Sequence, residues 1–120
     1  MLMPEIPYFS RSGKRAVMDD VRTFTGTLVA DLILPHARSL KERRGPQRAL
    51  VQKLKNLDFA VAQVGPADLH QRLFLAIGMV SGTETMLDEL MDGAERLLFA
   101  SDFAVGEVRR LVDVDSYHSG

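Results

Sequence analysis

The chain has 120 residues, of which 46% are hydrophobic and 26% charged, with a formal net charge of −1. That length and balance fit one globular α+β-sized domain and leave no global charge to draw the chain to nucleic acid or membrane, so any electrostatic argument rests on local clustering. The absence of cysteine removes disulfides, thiolate nucleophiles and cysteine metal sites, and fits a reducing, cytoplasmic location.

No apolar run approaches the ~20 residues a membrane helix needs, and the start, MLMPEIPYFSRSGKR, lacks the apolar region of a secretory signal. Residues 1–22 carry Pro4, Pro7, Gly13 and a Lys14-Arg15 pair without sustained periodicity. They read as a flexible N-terminal extension with a short helical turn near residues 16–21. Met18 offers an alternative start.

The first strand is expected from Phe24 to Leu34. Phe24, Gly26, Leu28, Ala30, Leu32 and Leu34 alternate onto one face, and Thr25, Thr27, Val29, Asp31 and Ile33 onto the other. Pro35 ends it. Ser39-Leu40-Lys41-Glu42 matches a capping box, in which serine and glutamate satisfy each other's backbone donors. The helix that follows turns Leu40, Leu50, Val51, Leu54 and Leu57 to one side. Gly45-Pro46 interrupts it, because an interior proline removes a hydrogen bond and clashes with the preceding turn at a cost of ~3 kcal/mol. The helix is therefore expected to kink at Gly45, or to break and restart at Pro46.

Phe59–Val64 forms a short second strand, Gly65-Pro66-Ala67-Asp68 a turn, and Gln71–Val80 a third strand with Leu73, Leu75, Ile77 and Met79 on one face. Ser81 or Thr83 caps the second helix, expected over Glu84–Phe99. There Met86, Leu87, Leu90, Met91, Ala94, Leu97 and Leu98 share an apolar arc opposite Glu84, Asp88, Glu89, Asp92 and Glu95. Phe103 to Val114 completes the strands, and the DSYHSG tail reads as frayed.

The order β-α-β-β-α-β, with two right-handed crossovers joined by a hairpin, predicts an α+β ferredoxin-like sandwich: a four-stranded antiparallel sheet with two helices on one face and the other face open. The domain is expected over 23–115 and the frayed tail over 116–120.

Leu34-Pro35-His36-Ala37-Arg38, then Ser39 to Arg44, Phe59–Gly65 and the Asp68-x-x-Gln71-Arg72 stretch resemble the YlxP-like family of bacterial proteins of unknown function over roughly residues 24–114. The resemblance implies the same ferredoxin-like fold. It also implies a link to RNA or ribosome maturation, because the family's genes sit beside those for transcription-termination and translation-initiation factors and ribosome-binding factor A. It carries no catalytic residues. This chain departs from the family at Gly45-Pro46-Gln47 and at Gln63, where the family has glutamate.

Between Arg38 and Lys55 lie seven Lys or Arg and one acid, Glu42. Arg38, Lys41, Arg43, Arg44, Arg48 and Lys55 are the candidate nucleic-acid-binding residues. Lys41, Arg44, Arg48 and Lys55 fall within about 60° of one another on an ideal helix, and such a row can neutralise phosphates. The competing reading is a solvated face balanced by the acidic second helix. No RRM-type aromatic platform accompanies the row. His36, His70 and His118 are too scattered for zinc. Asp31, Asp68 and Asp102 have no catalytic partner at a motif spacing, and neither Gly65-Pro66 nor Ser81-Gly82 is a phosphate loop. No cofactor, metal or enzymatic activity is expected. The expected role is that of a non-enzymatic accessory protein, a homodimer associated with RNA or a ribosomal subunit. The alternative is a homodimeric protein-interaction or small-ligand regulatory module that uses the open sheet face.

Overall fold

Alternating apolar and polar residues build the strands, and capped amphipathic runs build the helices that cover one side of them. The computed structural model describes residues 17–117. A short turn at Met18–Asp20 leads into β1 (Arg22–Ile33), α1 (Leu40–Asn56), β2 (Ala60–Val64), β3 (Arg72–Ser81), α2 (Glu84–Phe99) and β4 (Ala104–Ser116). The strands form one antiparallel sheet in the order β2-β3-β1-β4, which is the expected ferredoxin-like arrangement.

The core lies between sheet and helices. Leu28, Ala30 and Leu32 of β1 and Leu73, Leu75 and Ile77 of β3 are buried against Leu50 and Leu54 of α1 and Ala94 and Leu98 of α2. Each fully buried aliphatic side chain contributes about 1.5–3 kcal/mol relative to exposure. Thr25, Thr27, Val29 and Asp31 alternate to the open face, opposite Val80, Gly78, Ala76 and Phe74 of β3.

Thr83 caps α2, its hydroxyl accepting from the Met86 N–H at 3.2 Å, and α2 spans the expected residues. Met86 is 48% exposed. It stands at the edge of the expected arc, about 100° from its neighbour Leu87, which is fully buried. Leu57 is 55% exposed because α1 has ended by then. Its termination is a Schellman motif. Asp58 takes φ 65°, the Asp58 N–H donates to the Lys55 carbonyl and the Phe59 N–H to the Leu54 carbonyl, and Phe59 and Leu54 meet in the core.

Of the two outcomes expected at Gly45-Pro46, the break with a restart at Pro46 is not realised. α1 is one helix of 17 residues with Pro46 inside it. Gly45 explains the tolerance. The residue before proline is driven from helical geometry partly by its Cβ, and Gly45 has none; its surroundings are open to solvent. Of the C-terminal tail expected to fray, residues 115–117 are ordered by pairing with β1 and Val21. Strand pairing reaches Arg22 opposite Ser116, the Tyr117 N–H donates to the Val21 carbonyl at 3.4 Å, and the Tyr117 and Thr23 hydroxyls lie 3.0 Å apart. The turn expected near residues 16–21 is present at Met18–Asp20. Residues 1–16 and 118–120 lie outside the described residues.

Between Ala30 and Leu32 the β1–β4 register shifts by one residue. The extra β4 residue is accommodated at Gly106, where a side chain would crowd the Asp31 carbonyl oxygen at 3.2 Å. This is a β-bulge.

Candidate nucleic-acid interface

α1 begins where Ser39, in extended backbone geometry, accepts a hydrogen bond from the Glu42 N–H at 3.2 Å. The reciprocal half of the expected capping box is displaced by one residue: Glu42 Oε2 accepts from the Arg38 N–H at 2.6 Å. The only carboxylate in this basic segment therefore faces the backbone. It also lies at the helix N-terminus, where a negative charge is favoured.

Arg38, Lys41, Arg44, Arg48 and Lys55 are all exposed. Because α1 runs unbroken through Gly45-Pro46, Lys41, Arg44, Arg48 and Lys55 keep their common side along about 21 Å of helix. Among the described residues, none of these cations forms an ion pair. Among the described residues, no ion pair joins them to the acidic α2. Asp92 and Glu95 of α2 instead hold Arg110 of β4, at 2.9 and 2.8 Å. The two carboxylates, Glu95 first, keep the Arg110 guanidinium protonated beyond its ordinary range.

Arg43 must be taken out of this set. It is only 4% exposed. Its Nη1 donates to the carbonyl oxygens of Leu69 at 2.5 Å and Arg72 at 2.8 Å, and its Nη2 to that of Ala67 at 3.4 Å. The guanidinium pins the β2–β3 loop to α1. Gln71 reinforces the junction from the other side, donating to the carbonyls of Pro35 and Ala37 at 3.2 and 3.4 Å. One sequence signal marks Arg43: at about 100° per residue it falls within about 20° of Leu50 and Leu54, on the core side of α1.

Gln47, on the same side, is half-buried and reaches Gln63 of β2, 3.4 Å away. Between α1 and β2 lies a cavity of about 340 Å³ lined by Arg43, Arg44, Gln47, Arg48 and Gln63.

The open sheet face has a different chemistry. Arg72 pairs with Asp31 at 2.6 Å and stacks over the Phe74 ring at 5.2 Å. Glu107 and Arg109 pair at 2.6 Å beside them. Val29, Val80 and Leu111 are exposed there. Hydrogen bonding to Asp31, then its charge, raises the Arg72 pKa.

His36 and His70 are exposed loop residues, and His118 lies outside the described residues. Among the described residues, no group of three or more His, Asp or Glu side chains is placed to hold a metal ion, and no helix is long and apolar enough to cross a membrane.

A ferredoxin-like α+β domain carrying an unpaired basic helix is the class that fold and surface define. Residues 25–109 match the family model described as protein of unknown function, DUF503, and the chain belongs to that family. The comparison with curated proteins finds no match.

Proposed function

We propose that this protein is a non-enzymatic accessory factor that binds RNA, alone or within a ribosomal subunit, through the exposed face of α1. The observation that carries the reading is the row Lys41, Arg44, Arg48 and Lys55 on one unbroken helix, without an internal carboxylate partner among the described residues. A row of that kind gains free energy by displacing counterions from phosphates. The resemblance to the YlxP-like family, with its ribosomal gene neighbours, supports the same direction and a cytoplasmic setting.

Titration of labelled RNA and of purified ribosomal subunits across a salt series tests it. Affinity should fall with salt, with a log–log slope of about −0.7 for each single-stranded phosphate contacted. The triple substitution Lys41→Glu, Arg44→Glu, Arg48→Glu should flatten that slope by about two or more. Binding that ignores both salt and the substitutions overturns the reading.

A second reading makes the open sheet face a homodimer interface. It is supported by Val29, 37% exposed, beside Phe74 and between two salt-bridged pairs of opposite charge, a pattern that a two-fold axis can match to itself. Light scattering on wild type, Val29→Asp and Phe74→Asp checks it. A dimer that the substitutions dissociate supports the interface, and an unchanged mass in all three removes it.

A further inference from the structure

The cavity between α1 and β2 shares Arg44 and Arg48 with the row of cations and adds Arg43, Gln47 and Gln63 to them. Its walls include the guanidinium-bearing Arg44 and Arg48 and the amides of Gln47 and Gln63, with no carboxylate among them. Arg43 also lines it. Although the Arg43 terminal nitrogens are engaged by loop carbonyls, its Nε is buried without any hydrogen-bond partner. A buried charged donor left unmade is costly, and native structures supply a partner for such groups. The one polar contact that spans the cavity, from Gln47 Nε2 to Gln63 Oε1, is long at 3.4 Å, beyond the usual range of a good amide hydrogen bond. It gives way readily to a stronger acceptor. The volume, about 340 Å³, is roughly ten times a water molecule's share of the liquid, which is room for a tetrahedral oxyanion and part of its hydration.

We propose that this cavity is a seat for one phosphate group, held by the guanidinium groups of Arg44 and Arg48, with the Arg43 Nε–H as a donor from the buried side and the Gln47 and Gln63 amides completing the shell. Planar guanidinium groups match phosphate oxygens two at a time, which makes arginine the side chain suited to such a seat. The inference rests on the reading of α1 as an RNA-facing surface and deepens it. The exposed row supplies attraction without register, whereas a seated phosphate fixes where along the helix the backbone lies. The same chemistry would accept a free phosphate or the phosphate of a nucleotide.

The test uses the full chain, labelled with ¹⁵N, and follows the arginine Nε–H resonances. Inorganic phosphate is added in one arm. A short uridine oligonucleotide, with and without a 5′-phosphate, is added in the other. Phosphate should shift the Arg43 Nε–H signal saturably, with a Kd of about 1 mM or tighter. Gln63→Glu, which places a carboxylate against Arg44 and Arg48 and leaves Lys41 and Lys55 of the row unchanged, should weaken that binding at least about tenfold, and Arg48→Gln should do the same. Thermal melts establish that both variants remain folded.

Saturable phosphate binding with RNA binding that Gln63→Glu also weakens supports the seat with RNA as the source. Phosphate binding lost in Gln63→Glu while RNA fails to bind at all keeps the seat, assigns it to free phosphate or a nucleotide, and overturns the RNA reading instead. An Arg43 Nε–H signal unmoved by phosphate and by RNA overturns the seat, even where salt-dependent RNA binding through the exposed row persists.

Discussion

The Met91 methyl group occupies the place that a Cβ on Gly26 would take. This contact, together with Leu87 on the same helix at 3.2 Å from that position, brings α2 down onto β1 at the one β1 position in the buried series that has no side chain. Gly26→Ala should therefore overpack the contact and cost about 1–3 kcal/mol. The cost falls on a flexible side chain, so it should shrink when Met91 is truncated. In urea denaturation, Gly26→Ala and Met91→Ala should be less destabilising together than their separate effects predict, by about 0.5 kcal/mol or more.

Arg43 is a loop anchor, and its replacement should affect stability. Arg43→Met leaves the Leu69 and Arg72 carbonyls without their donor and should cost about 2–4 kcal/mol. Arg43→Lys should cost nearly as much, because one ammonium group cannot reproduce the guanidinium fork. Urea midpoints check both, and a loss under about 0.5 kcal/mol would deny the anchoring role.

Pro46 weakens α1 without breaking it. Pro46→Ala restores a missing N–H and should raise stability by about 1–3 kcal/mol. The neighbouring glycine gives a sharper check. Gly45→Ala should stabilise the helix by about 1 kcal/mol in the Pro46→Ala background but gain less, or lose stability, in wild type, where the new Cβ meets the proline ring. Thermal melts of the four chains measure the coupling.

Asp58 ends α1 in the left-handed region at φ 65°, where a side chain is disfavoured. Asp58→Gly should raise stability by about 0.5–1 kcal/mol, the relief of strain being partly offset by the greater freedom of glycine in the unfolded chain. Chemical denaturation checks the sign.

Arg110 links β4 to α2 through Glu95 and Asp92. Its side chain is 33% exposed, so Arg110→Gln should cost only about 0.5–1 kcal/mol. The pH dependence follows from the raised guanidinium pKa. A group whose pKa is higher when folded contributes fully below its unfolded value and loses that contribution only as pH climbs through the folded one. Here the loss falls in strong alkali. The difference between wild type and Arg110→Gln should accordingly be the same at pH 7 and pH 9, and smaller at high salt.

The strands and α2 were legible because period-two alternation and a strong apolar arc depend on local residues alone. The basic row was legible for the same reason. The burial of Arg43 is not local: a guanidinium on the core side of a helix is buried only when a loop distant in sequence offers it carbonyls, and those carbonyls belong to residues 67–72. A break at Pro46 was expected as one of two outcomes because the general penalty takes no account of a glycine before the proline. Leu57 lies past the end of α1, and Met86 lies at the edge of the α2 arc, about 100° from the buried Leu87, so a stripe drawn too long or too wide takes in both. The Tyr117 contacts with Val21 and Thr23 join the two ends of the domain, and no local pattern reports such a pairing.

The sheet order leaves β2 and β4 with free sides, and a free strand edge invites another chain to pair with it. Each is closed by a different device. β2 is only five residues long, too short to template a long ladder. β4 is longer but carries Glu107, Arg109, Arg110, Asp113 and Asp115 along its length, and the bulge opposite Asp31 breaks the even spacing of its outward amides. A strand arriving from a second molecule would meet charge of both signs along β4 and a mismatch partway along. The short β2 and the charged, bulged β4 thus leave both edges of the sheet poorly matched to a long incoming strand.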